Sequence, residues 1–342
     1  MPRVRIILPT YNRADLVTEA ISSALAQSFH DFEVFVADDG STDHTPQVLE
    51  RLAARDSRVR PLRVPHGGAA AARNAAIRAA GDYEFAAFLD SDDIWVPDHL
   101  QECVGLLQLH PDVALVSTAV EVNDHSGKWN EAWQREREDR MRRPIGCAAR
   151  SLDGGIHILD PERCWRAMLS SEFTLQPTTV VARRAAVPRA DWFDSGLKIF
   201  EDPELWLFLA RNGRTFAYID KVHARIRHFG DNLTGTPEEL GSTKAFERYR
   251  SVLRFAHTKL DMCRNADERR IAAGEIAWTA YLLGQSCTER GELRQAREYY
   301  VQALRHQFNF PFLKGYLASW LPAPIFTRLR RLRTNAQYSK NS

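Results

Sequence analysis

The sequence predicts an α/β fold over its first two-thirds and an all-helical extension over its last third. Three observations carry that expectation. Apolar runs at residues 4–8, 32–37, 59–64 and 85–89 alternate with helix-type segments at 14–27, 45–54 and 69–79. Strands alternating with helices imply a mostly parallel, Rossmann-like sheet between two layers of helices. Three of the runs end in polar residues (Pro9-Thr10-Tyr11-Asn12, Asp38-Asp39-Gly40-Ser41 and Asp90-Ser91-Asp92-Asp93), at the strand ends where such sheets place ligands. Beyond about Thr243 the pattern is helical throughout, which sets expected domains of 1–242 and 243–342.

Taken in order, Val4 to Leu8 is a buried-type strand stopped by Pro9. Leu16, Ala20, Ile21, Ala24 and Leu25 recur on one face of the helix that follows. The second strand closes at Asp38-Asp39-Gly40-Ser41, the third is short, and the helix after it is rich in alanine. The fourth strand runs into the acidic residues, and Pro97-Asp98-His99-Leu100 opens another helix. Residues 113–122 and 173–181 read as further strands and 202–210 as a helix with Leu205, Trp206 and Leu209 inward. The stretch 123–155, mixed in charge, reads as a solvated helix or loop, with a lid on the acceptor side as the alternative.

Composition narrows the function classes. Lysine plus arginine (46) nearly balances aspartate plus glutamate (44), so no nucleic-acid partner is expected. The five cysteines are widely spaced without a C-x-x-C pair, which disfavours a disulfide framework or a zinc site and fits a reducing compartment. The N-terminal apolar stretch is too short for a signal segment, and no apolar run approaches a bilayer span. The expected location is the cytoplasm, with peripheral contact at the inner face of the cell membrane.

The acidic run carries the most chemistry. Alternate residues of an extended chain share a face, so Asp90 and Asp92 can point together while Asp93 turns away. A bound cation would relieve their repulsion. Mg²⁺ and Mn²⁺ take oxygen ligands, commonly one or two carboxylates plus substrate phosphates, so a phosphate or diphosphate ester is the implied substrate. Turn and helix-cap roles explain the same residues equally well.

As a set, Ile7-Leu8-Pro9-Thr10-Tyr11-Asn12-Arg13, Asp38-Asp39-Gly40-Ser41-Thr42-Asp43, Ala72-Arg73-Asn74, Asp90-Ser91-Asp92-Asp93 and Glu201-Asp202 resemble the inverting glycosyltransferases of family 2, which have the GT-A fold. The resemblance spans residues 1 to about 235. It implies transfer of a sugar from a nucleotide diphosphate donor, most simply a UDP-sugar, to an acceptor hydroxyl of a surface glycan or lipid-linked chain, assisted by Mn²⁺ or Mg²⁺. It further implies donor contacts from Pro9, Thr10, Tyr11, Asn12, Asp39, Arg73, Asp90, Ser91 and Asp92. Metal contacts would come from Asp92, Asp90 and His228, and Asp202 would be the base, with Glu201 next. Asp39 would meet a base imide N–H or else cap the Ser41 turn. Tyr11 would stack on the base or belong to the core, and Arg73 would reach base or phosphate or be a surface arginine. Pro203 departs from the bulky residue that commonly follows the acidic pair.

In the last third, Leu283, Gly284, Gly291, Ala296, Tyr300 and Ala303 have the spacing of one tetratricopeptide-like hairpin, and one copy makes no solenoid. Arg328, Arg330, Arg331, Arg333 and Lys340, interleaved with Ile325, Phe326, Leu329 and Leu332, suit either an anionic membrane surface or a solvated tail. Two other functions fit less well. A nucleotidyltransferase would open with a glycine- and basic-rich loop after the first strand, and a non-catalytic nucleotide-binding protein has no need of intact Asp90, Asp92, Glu201 and Asp202. No G-x-G-x-x-G supports a dinucleotide oxidoreductase.

Overall fold

The structure, a computed structural model, describes residues 3–127, 130–229 and 240–320. It divides into two units, Met1–Thr236 and Pro237–Ser342. The basic segment 321–342 and the glycine-led loop 230–239 lie outside the described residues.

The first unit opens with β1 (Val4–Thr10), α1 (Ala14–Leu25), β2 (Phe32–Asp38), α2 (Thr45–Arg55), β3 (Val59–Arg63), α3 (Ala69–Ala79) and β4 (Phe85–Phe88). These strands pair in parallel in the order β3-β2-β1-β4. Every residue of β1 and β4 is buried, as expected of strands covered on both faces. Each large apolar side chain buried there contributes about 1.5–3 kcal/mol. Arg5 is tolerated in β1 because its guanidinium reaches Ala80 O at 3.0 Å and pairs with Glu33 at 2.9 Å.

The second half adds β5 (Ile94–Trp95), α4 (His99–Leu109), β6 (Val113–Asp124), α5 (Glu131–Arg142), β7 (Ala148–Leu152), β8 (Ile156–Leu159), α6 (Pro161–Leu169), β9 (Val181–Arg183), α7 (Glu201–Arg211) and β10 (Thr215–His228). The full order is β3-β2-β1-β4-β9-β6-β10-β8-β7, with β5 on β10. β9 enters antiparallel between β4 and β6. It begins only at the last residue of the predicted 173–181 strand, so residues 173–180 are not the strand expected there. Pro177 has no N–H for a ladder, and residues 177–179 form a helical turn closed on Gln176 O instead. Within 123–155, α5 is a solvated helix without buried residues, while the hairpin β7–β8 was not anticipated. Its signal is two short strands around Gly154 and Gly155, both at φ +74°.

β10 is long enough to serve two places. Its first half pairs with β8, and its second half pairs with β5 and carries Arg225, Arg227 and His228 alongside the acidic turn.

The second unit consists, among the described residues, of α8 (Thr243–Met262), α9 (Ala266–Glu289), α10 (Leu293–His306) and α11 (Phe310–Ala318). α9 and α10 form the single hairpin, turning at Gly291 with φ +79°. The Tyr300 ring is wedged between Gly284 of α9 and Gly315 of α11, and a Cβ at either glycine would sit 2.7 Å from Tyr300 Cε1. Gly284→Ala is therefore expected to destabilise this unit by about 1–3 kcal/mol, measured as a lowered urea midpoint.

Candidate active site

The site residues gather at the carboxyl ends of β1, β2 and β4. Pro9 stays in the buried strand opposite Ala37. Thr10 is buried, its carbonyl accepts from Asp39 N at 2.9 Å, and its hydroxyl is a buried polar atom without a hydrogen bond. An orphaned hydroxyl at a strand end suits a polar ligand atom. Asn12, at φ +50°, ties two loops together. Its Oδ1 accepts from Thr42 N (2.8 Å) and Asp43 N (3.3 Å), and its own N–H donates to Ser41 Oγ (2.9 Å).

Asp39 sits in a small cradle. Its two carboxylate oxygens accept from Gly67 N (2.7 Å) and Gly68 N (2.9 Å), and His66 Nδ1 lies 2.9 Å from Oδ2. The alternative of a cap on the Ser41 turn belongs instead to Asp38, whose Oδ1 accepts from Ser41 N at 2.9 Å. Gly40, at φ +74°, makes the cradle possible, since a Cβ there would lie 3.1 Å from His66 N. Tyr11 is exposed rather than part of the core and stacks on His66, with ring centres 4.4 Å apart and planes 28° apart. His66 carried a weak signal in the sequence, because a lone histidine after a strand has no distinctive spacing.

Beyond the end of β4 the three aspartates lie not in extended strand but in a turn that Asp93 N closes on Asp90 O at 3.1 Å, so the expected strand alternation does not apply to them. Asp93 is buried, accepts from Thr178 Oγ1 (2.6 Å) and Arg227 N (3.1 Å), and is held well above the usual carboxylate range by burial and then by the charges of Asp92 and Asp90. Asp92 is half-buried. Burial and the neighbouring Asp90 push its pKa up to about 6, against the opposing pull of Arg13 and Arg227. Ser91 is buried in the turn between them. Thr178 also meets Asp90 N at 3.2 Å, and nothing local in the sequence signalled it.

Arg73 is neither a surface arginine nor a donor open to a ligand. It is 4% exposed, and its guanidinium forks between Glu201 Oε1 (2.6 Å) and Asp90 Oδ1 (2.7 Å), with the Phe193 ring centre 5.4 Å away. Burial acts to lower its pKa, but the charges of Asp90, Glu201 and Asp202 outweigh that and raise it. Asn74, one residue on, clamps the Phe193 backbone from both sides, at 2.7 Å to its carbonyl and 3.0 Å from its N–H. Glu201 and Asp202 open α7 directly after Phe200, which adopts φ +71°, and Pro203 fits that first turn. Glu201 is buried and committed to Arg73. Asp202 is half-buried, and burial followed by the charge of Glu201 raises its pKa well above the ordinary value.

The predicted metal set is not gathered as expected. His228 is buried with Nδ1 3.6 Å from Asp124 Oδ1, and among the described residues no group of three or more His, Cys, Asp or Glu side chains is arranged to hold an ion. The reason is the alternation along β10. Arg227 faces the acidic turn, its Nε donating to Asp92 O at 2.5 Å, so its neighbour His228 faces away. Asp90 and Asp92 still suit a hard cation that takes its other oxygens from a diphosphate, and the mutual repulsion that raises Asp92 is what a cation would relieve. His99 and His223 are core histidines, both lowered by burial, His99 to about 3.

Comparison with known proteins places the site within a matched family region. The model for "Glycosyl transferase family 2" matches residues 5–170, which contain the cradle, Arg73 and the acidic turn. Residues 5–170 thus match glycosyl transferase family 2.

The family 2 region is 41% identical over 104 residues to chondroitin synthase of Pasteurella multocida, covering 30% of this chain and 11% of that protein. It is 42% identical over 105 residues to the UDP-Glc:alpha-D-GlcNAc-diphosphoundecaprenol beta-1,3-glucosyltransferase WfgD of Escherichia coli, covering 30% and 40%. The chain thus spans well under two-thirds of the length of these relatives. Among solved structures, S. aureus TarS 1-349 in complex with UDP-GlcNAc superposes with a TM-score of 0.59 at 19% identity, covering 93% of this chain and 90% of that one. The mannosyltransferase PcManGT of Pyrobaculum calidifontis, in complex with GDP-Man and Mn²⁺, superposes with a TM-score of 0.54 at 18% identity, covering 93% and 84%. At these identities the structural likeness speaks for the fold, and that fold is GT-A.

Proposed function

We propose that this protein transfers a sugar from a nucleoside diphosphate donor, a UDP-sugar, to a hydroxyl of a glycan or lipid-linked acceptor, with inversion at the anomeric carbon. Residues 1–242 would form the catalytic domain and 243–342 the helical extension, working in the cytoplasm on cell-surface glycan synthesis. The observation that carries the reading is Asp202. It is a half-buried carboxyl with a raised pKa, next to Glu201 and near Asp90, both of which are paired with Arg73.

The assignments follow from that geometry. Asp202 takes the proton from the acceptor hydroxyl, a role suited to a carboxylate whose pKa has been moved toward neutrality. Glu201, paired with Arg73, keeps the first turn of α7 in place. The Asp39 cradle accepts the imide N–H of uracil, Tyr11 and His66 flank the base, and Pro9, Thr10, Asn12 and Ser91 shape the rest of the donor pocket. Asp92, with Asp90 beside it, is where Mn²⁺ or Mg²⁺ would be held, to neutralise charge on the departing diphosphate. Similar proteins support this reading: UDP-Glc and a diphosphoundecaprenol acceptor for the E. coli enzyme, UDP-GlcNAc for TarS, and Mn²⁺ for PcManGT.

A panel of UDP- and GDP-sugars, with Mn²⁺ or with chelator, tests the reading. The expected result is metal-dependent release of UDP, with Asp39→Asn losing the preference for uracil by about tenfold, the scale of one or two hydrogen bonds. Absence of binding and turnover with every nucleotide sugar would overturn it.

A further inference from the structure

α11 is apolar on both sides. Its inner face supplies Phe312, 1% exposed, and Tyr316 to the helical core. Its outer face has Phe310 and Leu317, 70% and 58% exposed, at i and i+7 around the exposed Lys314 at i+4. Phe308, just before the helix, is 74% exposed, and Trp320, just after it, is 61% exposed. Phe310 and Leu317 are separated by about 10 Å along the helix axis, so the four side chains crowd a short stretch. Single exposed apolar residues need no explanation, but a cluster on one short element marks an interaction surface.

Charge indicates what covers it. Glu298 is the last acidic residue of the chain. Beyond it come Arg305, Lys314, Arg328, Arg330, Arg331, Arg333 and Lys340 with no carboxylate side chain, whereas the residues before it carry more acidic than basic side chains. Arg297 adds its guanidinium 4.4 Å from the Trp320 ring centre. Aromatic and leucyl side chains among cations are the composition of an element that lies in a bilayer interface and is attracted to anionic headgroups.

We propose that the outer face of α11, with Phe308 and Trp320 at its ends, seats the helical unit on an anionic membrane surface. The apolar side chains enter the headgroup boundary, and the basic residues around them, Arg305 and Lys314, meet lipid phosphates. The surface lies in the second unit and needs neither donor nor acceptor, so it stands or falls independently of the catalytic reading.

Co-sedimentation of the full chain with phosphatidylcholine vesicles, with and without about one-third phosphatidylglycerol, tests it. Binding is expected to the anionic vesicles, weakened by added salt, and reduced about tenfold or more in Phe310→Ser/Leu317→Ser. The thermal midpoint of that variant should be unchanged, because both side chains are exposed. Phe308→Ser/Trp320→Ser provides an independent second variant with the same expectation. Failure to bind anionic vesicles, or binding undiminished in both variants, would overturn the proposal. So would a dimer by light scattering that the variants convert to monomer, since a second copy of the chain would then cover this face.

Discussion

Asp202→Asn is expected to lower the rate of sugar transfer about 10²–10⁴-fold, the usual contribution of a positioned general base, while leaving binding of the nucleoside diphosphate within a few fold. The change is nearly isosteric, removes the ability to take a proton, and leaves the Arg73 ion pairs untouched. Calorimetric titration with UDP alongside single-turnover transfer separates the two effects. Loss of UDP binding with retained chemistry would remove Asp202 from the acceptor side. The pH profile supplies the second readout. A base works only when unprotonated, and burial and Glu201 raise the pKa of Asp202. Activity should therefore fall on acidification at a higher pH than an ordinary aspartate would give, and that acid limb should be absent from the residual rate of the variant.

Arg73→Ala is expected to destabilise the first unit by about 3–5 kcal/mol, the usual consequence of removing one partner from a buried ion pair. The loss leaves Glu201, 8% exposed at its side chain, and Asp90, 29% exposed, facing each other across the space the guanidinium filled. Both carboxylates would then repel Asp202 without the intervening cation. Arg73→Lys should recover only part of the stability, because an ammonium is a point charge and cannot fork to two carboxylates as a planar guanidinium does. Denaturant midpoints for the two variants, read beside kcat and donor KM, distinguish a fold effect from a positioning effect. A lysine variant with native stability and reduced kcat would assign Arg73 to holding the start of α7.

Much of this site could be read locally. The cluster of polar residues at the ends of β1, β2 and β4 follows from strand periodicity, whereas the division of labour among Asp90, Asp92 and Asp93 is set by the turn that Asp93 N closes on Asp90 O. The partners of those residues could not be read the same way. Arg73 meets Glu201 across 128 positions, and Thr178 meets Asp93 across 85. The direction of His228 likewise depends on how β10 registers against β5 and β6. His66 reaches Asp39 because Gly40 admits its loop to close range.

The order of residue types along this chain was enough to determine an α/β layer followed by helices, the resemblance to family 2, and the acidic groups that matter, because periodicity and short motifs act within a few residues. Tertiary structure alone decided which carboxylates pair with Arg73, which ones are left with raised pKa values, and which side chains of α11 are exposed. Those outcomes depend on charges and surfaces brought together from distant segments, and burial sets their strength only once the sheet order and helix packing exist.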